Sequence, residues 1–140
     1  MRRFLFGLTA LTMASGPALA GTISAGDGWF RALPGDLPAA GYVVLRNSGK
    51  TAVALTGAQS SACPTLMLHM THQMDGMMHM MEVPKVEIAP GATLNLAPGG
   101  YHLMCMKPTL KPGTTVPVNL TFSDGTSLAV NFAVRNAQGK

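Results

Sequence analysis

The stretch that decides the fold is VPVNLTFSDGTSLAVNFAVR, residues 116–135. Val116, Val118, Leu120 and Phe122 alternate with Pro117, Asn119 and Thr121; Asp124-Gly125 then supplies a turn, and Leu128, Val130 and Phe132 alternate back. A period of two marks a strand with one face in a core, and an Asp-Gly step between two such runs marks an antiparallel hairpin.

Working upstream, the same signal recurs in short form. Candidate strands are Thr22–Asp27, Trp29–Ala32, Ala40–Arg46, Val53–Gln59, Thr65–Thr71, Met77–Val83, Val86–Ile88, Thr93–Leu96, Tyr101–Lys107, Val116–Phe122 and Ser127–Arg135. Turn residues separate them at Asn47-Ser48-Gly49, Asp75-Gly76, Pro90-Gly91, Pro98-Gly99-Gly100 and Lys111-Pro112-Gly113. No segment sustains a helical period. Many short strands with regular turns predict an all-β, Greek-key β-sandwich. Neither a repeat nor a linker divides residues 21–140, which read as a single domain.

The first twenty residues read differently. Arg2 and Arg3 are followed by an apolar run from Phe4 to Met13 and a small-residue cleavage site at Ala18-Leu19-Ala20. Residues 1–20 are therefore expected to be a cleaved signal peptide, sending the chain to the periplasm. The apolar run falls short of the roughly 18 residues of a transmembrane helix, so no stable membrane insertion is expected. The cleavage site lacks a lipobox cysteine, which argues against a lipid anchor. Taking Arg2 and Arg3 from the ten basic residues leaves eight against six acidic, a mature net charge of +2. There is no Lys/Arg run and no interleaving of aromatic with basic residues, which excludes a nucleic-acid surface.

After residue 20, every methionine lies between Met67 and Met106, and His69, His72, His79 and His102 share that window. Methionine used only as core filler would be scattered. Within the window His69, Met80, His102 and Met104 form an H-x10-M-x21-H-x-M array. Two imidazoles and two thioethers are a soft donor set, suited to Cu(I) and poorly suited to Mg, Ca or structural zinc.

Strand periodicity explains how the four could meet. If Asp75-Gly76 is a two-residue turn, Thr71 faces Met80 and Met70 faces Met81. His69 then shares a face with Met80, one diagonal step away, on the side that also carries Glu82. The reverse face collects Leu66, Leu68, Met70, Met81 and Val83 as a core face. On Tyr101–Lys107, His102 and Met104 share the side opposite Leu103 and Cys105. Both pairs are expected to converge on an exposed patch. The same register sets His72 against His79, near Met74 and Met77, as a candidate auxiliary site for Cu(II) or for metal capture. Its alternative is a solvated loop.

Cys63 and Cys105 are the only cysteines. In an oxidising compartment an even pair reads first as a disulfide, and the alternative is a thiolate ligand beside Met104. Thioethers cannot close to a disulfide, so they keep a soft donor available there. Their weakness is oxidation to the sulfoxide.

At these residues the chain resembles the periplasmic copper-A chaperone (PCuAC) family, whose signature is this His/Met spacing. Trp29-Phe30-Arg31-Ala32 resembles its W-x-R-A segment, and Ala39-Ala40-Gly41-Tyr42 with Leu45-Arg46-Asn47-Ser48-Gly49 its A-A-x-Y…L-x-N-x-G stretch. Leu68-His69 looks like its first ligand block, and Pro98-Gly99-Gly100-Tyr101-His102-Leu103-Met104 like its P-G-G-Y-H-L-M block. The resemblance covers nearly the whole mature chain and implies a cupredoxin-like fold. It also implies a protein that binds Cu(I) and passes it to the CuA centre of cytochrome c oxidase, alongside a Sco-type thiol protein. Catalysis is not expected from the residues themselves: Ser60-Ser61 lacks a nucleophile-elbow context, and the carboxylates besides Glu82 suggest no paired acid–base set. The short tail after Val134 adds no His or Met, so a tail-borne second copper site is not expected.

Three rivals stand beside this expectation. An electron-transfer cupredoxin needs a Cys thiolate followed by a histidine, and no histidine follows Cys105. A copper-scavenging or resistance protein would use the whole Met/His cluster as a sponge. A metal-free interaction module would use the methionines as an adaptable contact surface.

Overall fold

The computed structural model describes residues 22–140; the expected signal peptide lies outside them. Twelve strands follow in order: β1 (Ile23–Ala25), β2 (Gly28–Arg31), β3 (Ala39–Tyr42), β4 (Val44–Asn47), β5 (Val53–Gln59), β6 (Thr65–Met74), β7 (Met77–Glu82), β8 (Val86–Ile88), β9 (Thr93–Asn95), β10 (Tyr101–Met106), β11 (Thr115–Phe122) and β12 (Ser127–Arg135). Among the described residues there is no helix, and hence none long and apolar enough to cross a membrane.

The strands form a small sheet, β1-β4-β9, and a large one, β7-β6-β10-β3-β2-β12-β11-β5-β8. Every pairing is antiparallel except β12 with β2. The large sheet curls until β5 lies against β6 without pairing to it, and the small sheet closes the other side. The result is a sandwich whose core holds Phe30, Leu45, Leu55, Ile88, Leu103, Leu120 and Phe132.

The hairpin read from residues 116–135 is β11–β12, with Leu120 opposite Leu128 and Val118 opposite Val130. Val118, Leu120, Phe122, Phe132 and Val134 are buried, as the alternation requires. Pro117 sits where β5 has already ended. Its carbonyl accepts a bond from Ser60 Oγ at 2.9 Å, so its missing N–H interrupts no ladder there.

One strand expectation is corrected. Ala40–Arg46 is two strands: β3 in the large sheet and β4 in the small one, joined at buried Val43. The chain changes sheets there, and an unbroken apolar run conceals the switch. Asn47, fully buried, closes the end of β4. Its Nδ2 donates to the carbonyls of Thr51 at 2.8 Å and Ile88 at 3.0 Å, and its Oδ1 accepts from Gly49 N–H at 2.9 Å.

Candidate metal centre

The β6–β7 hairpin has the register expected of its turn. Asp75 (φ 52°) and Gly76 (φ 76°) both take positive φ, the type I′ geometry that suits the twist of two strands joined by two residues. Thr71 faces Met80, His72 faces His79 and Met70 faces Met81. On its other side β6 pairs with β10, which puts His102 directly opposite His69 and Met104 opposite Met67. His69 thus sits on the middle strand, with His102 to one side and Glu82 to the other. Met80 is one diagonal step away.

The side chains do not form the exposed patch expected from parity. His102 is 2% exposed and Met104 8%, while Met80 is 60% exposed. The reason is strand position. β10 is interior, flanked by β6 and β3, whereas β7 is the sheet edge. Met81 is corrected likewise: assigned to the core, it is 44% exposed. The ribbon outruns the core beyond Leu68.

The imidazoles carry the chemical information. The His69 and His102 rings stand edge to face, with centroids 5.7 Å apart. His102 Nδ1 lies 3.2 Å from the Gly100 carbonyl, an arrangement in which Nδ1–H donates and Nε2 keeps its lone pair. Thr71 N–H also donates to that carbonyl, at 3.0 Å, so one oxygen fixes both the ring and the neighbouring strand. His102 Nε2 and both ring nitrogens of His69 are shut off from solvent without a hydrogen-bond partner. Burial pushes the His102 pKa below its usual value; the Gly100 bond opposes this, and the nearby His69 adds to it. A neutral imidazole with an unused buried lone pair is costly unless something accepts that pair. A soft metal ion does so.

Cys63 and Cys105 are bonded to each other, with Cα atoms 5.3 Å apart. This resolves the choice left open by the sequence: neither sulfur is a thiolate ligand, and a blue-copper centre loses its essential donor. The bond ties β10, just past Met104, to the segment entering β6. Among the described residues no three His, Cys, Asp or Glu side chains gather as a metal-binding group. Beside the two imidazoles, the register supplies methionine thioethers: Met104 and Met67 across β10 and β6, and Met80 on β7.

Two neighbours of the centre escaped the sequence reading. Met67 is half-buried, on the His69 side of β6 and opposite Met104; its two-residue offset from His69 was the available signal. The second is an aromatic wall. Leu103 pairs with Gly41, and the same register carried one residue on sets Tyr42 beside His102. Tyr42 packs on Trp29 at 4.8 Å, with the Arg31 guanidinium 5.3 Å from the Trp29 ring and 5.9 Å from Tyr42. Burial raises the Tyr42 pKa against the opposing charge of Arg31, so the phenol stays protonated at neutral pH. A surface concavity of about 550 Å³ between Gln59, Ser60, Pro117 and Ala129 lies elsewhere and has no His, Met or charged residue in its lining.

Known proteins share this architecture. A family described as "Putative lipoprotein LpqE-like" matches residues 23–134. The chain is 37% identical over 114 residues to "Putative lipoprotein Lxx21020" of Leifsonia xyli subsp. xyli (strain CTCB07), covering 79% of this chain and 68% of that protein. It superposes on the copper-bound PCuAC domain from PmoF2 with a TM-score of 0.70 at 23% identity, covering 83% of this chain and 94% of that one. For CuI-DR1885 from Deinococcus radiodurans the TM-score is 0.64 at 30% identity, over 84% of this chain and 79% of the other. The likeness to the PmoF2 domain is one of fold, and it identifies the sandwich as cupredoxin-like.

Proposed function

The chain belongs to the LpqE-like family, and from that premise and the facing imidazoles of His69 and His102 we propose that it is an extracytoplasmic copper metallochaperone. Copper is its cargo, taken as Cu(I) by His69, Met80, His102 and Met104. The observation that carries this reading is the set of three buried imidazole nitrogens without partners, beside the thioether of Met104. Copper-bound relatives of the same fold support it.

Each residue has a distinct part. His102, oriented by Gly100, and His69 offer preformed nitrogen donors in a region closed to water. Met104 supplies a fixed soft donor beside them. Met80, exposed on the edge strand, has the rotational freedom of an unbranched side chain and is the donor that engages last and lets go first. Neutral thioethers hold Cu(I) less tightly than thiolates, which favours handing the ion on over storing it. The chain binds and transfers, and catalyses nothing.

The recipient in this reading is the CuA centre of cytochrome c oxidase, with a Sco-type thiol protein as co-worker and the periplasm as compartment. The test is direct transfer. Protein loaded with Cu(I) is mixed with the copper-free soluble CuA domain, with and without a Sco-type protein, and copper is measured in each separated component. Movement of copper onto the CuA domain is expected. Copper that stays on the chaperone in both mixtures contradicts oxidase delivery.

A further inference from the structure

The β6–β7 ribbon has two faces, and the centre described above uses one of them. By alternation the other face carries Met70, His72 and Met74, set opposite Met81, His79 and Met77. His72 and His79 are direct cross-strand partners, with ring centroids 6.0 Å apart and planes 35° from parallel. His72 Nδ1 is shut off from solvent and has no hydrogen-bond partner. Met70–Met81 brackets this pair on one side and Met74–Met77 on the other. Two imidazoles and four thioethers thus line a short length of one surface.

Packing does not account for this composition. Met74, Met77 and Met81 are 52%, 64% and 44% exposed, in a ribbon that has already left the core. A solvated hairpin tip has no use for these side chains as apolar bulk, and polar residues would serve it better. What the six share is soft or borderline donor chemistry at cross-strand contact distance.

We propose that His72 and His79, with sulfur from the flanking methionines, form a second Cu(I) site on the reverse face of the hairpin. It shares no donor with the His69/His102 centre, so it does not depend on that reading. The two sites differ in access. Two of the inner donors, His102 and Met104, are buried on interior strand β10, whereas Met74, Met77 and Met81 of the reverse face are exposed near the sheet edge, which suits that face to first capture of the ion.

The test uses Ag(I), a redox-inert stand-in for Cu(I), titrated into the mature disulfide-bonded protein and followed by NMR of the imidazole and methionine methyl groups. Wild type should take up two equivalents, one shifting His69 and His102 and the other shifting His72 and His79. The His72→Ala/His79→Ala variant should lose one equivalent, and a His102→Ala/Met104→Ala variant should keep the reverse-face signals. Replacing Met74, Met77 and Met81 by Leu preserves apolar shape and should weaken the reverse-face equivalent. The proposal is overturned if wild type shows no shift at His72 and His79. It is equally overturned if the second equivalent survives the double His variant, or if the Met→Leu variant binds it unchanged.

Discussion

His102 lies directly across from His69 on neighbouring antiparallel strands, their rings 5.7 Å apart, with three of their four nitrogens buried and unpartnered. The fourth nitrogen, His102 Nδ1, is occupied by the Gly100 carbonyl. The fold thus maintains an unsatisfied donor pair that an apolar pair would relieve. That cost is what makes the site informative.

The buried ring gives a pH signature. The folded-state pKa of His102 is lowered, chiefly by burial, so below the ordinary value of about 6.5 the unfolded chain binds a proton that the folded chain refuses. Stability from this residue is complete above that value and is lost as pH falls towards the lowered pKa. Thermal melts of the metal-free protein between about pH 7.5 and about pH 5 should therefore slope downward towards acid. His102→Gln should flatten part of that slope. Parallel profiles would contradict the assignment.

Gly41 controls how closely β3 approaches β10. A Cβ there would meet Phe30 Cε1 at 2.6 Å and Leu103 Cβ at 3.3 Å. Gly41→Ala should destabilise the fold by roughly 1–3 kcal/mol, the usual cost of overpacking. Denaturant unfolding checks this, and an unchanged midpoint would mean the sheet can open there freely.

The disulfide closes a separation of 42 residues. Its removal in Cys63→Ala/Cys105→Ala should cost roughly 2–4 kcal/mol and weaken copper binding modestly, because β10 loses its tether to the β6 entry. Urea titration and copper affinity measured together decide the matter. Complete loss of copper binding by a folded variant would contradict a purely structural bond.

Methionine-to-leucine changes separate sulfur chemistry from packing. Met104→Leu, in a buried position, should cost under about 1.5 kcal/mol yet sharply lower Cu(I) affinity. Met80→Leu, on an exposed edge, should leave stability unchanged and speed copper loss. Equal affinity in wild type and Met104→Leu would remove Met104 from the donor set.

Much of this was legible in the sequence, for identifiable reasons. Asp75-Gly76 dictates a type I′ turn, and that turn alone fixes which residues of β6 and β7 face one another. Parity on β10 likewise sets His102 and Met104 apart from Leu103 and Cys105. Parity gives the face a residue lies on and not what covers it, so the burial of His102 and the exposure of Met81 had to come from strand order. The sheet change at Val43 was hidden because a strand that crosses between two layers stays apolar throughout. The disulfide could be weighed from compartment but not chosen, since pairing depends on the 5.3 Å separation that only the fold supplies.

The most direct test of the central claim is a Cu(I) competition titration of the mature, disulfide-bonded protein against a chromophoric chelator, run beside His102→Ala/Met104→Ala. With the reverse-face pair removed in both by His72→Ala/His79→Ala, the parent should bind close to one copper per chain and the inner-site variant none that competes. Equal copper uptake by the two proteins would contradict a centre built on His69, Met80, His102 and Met104.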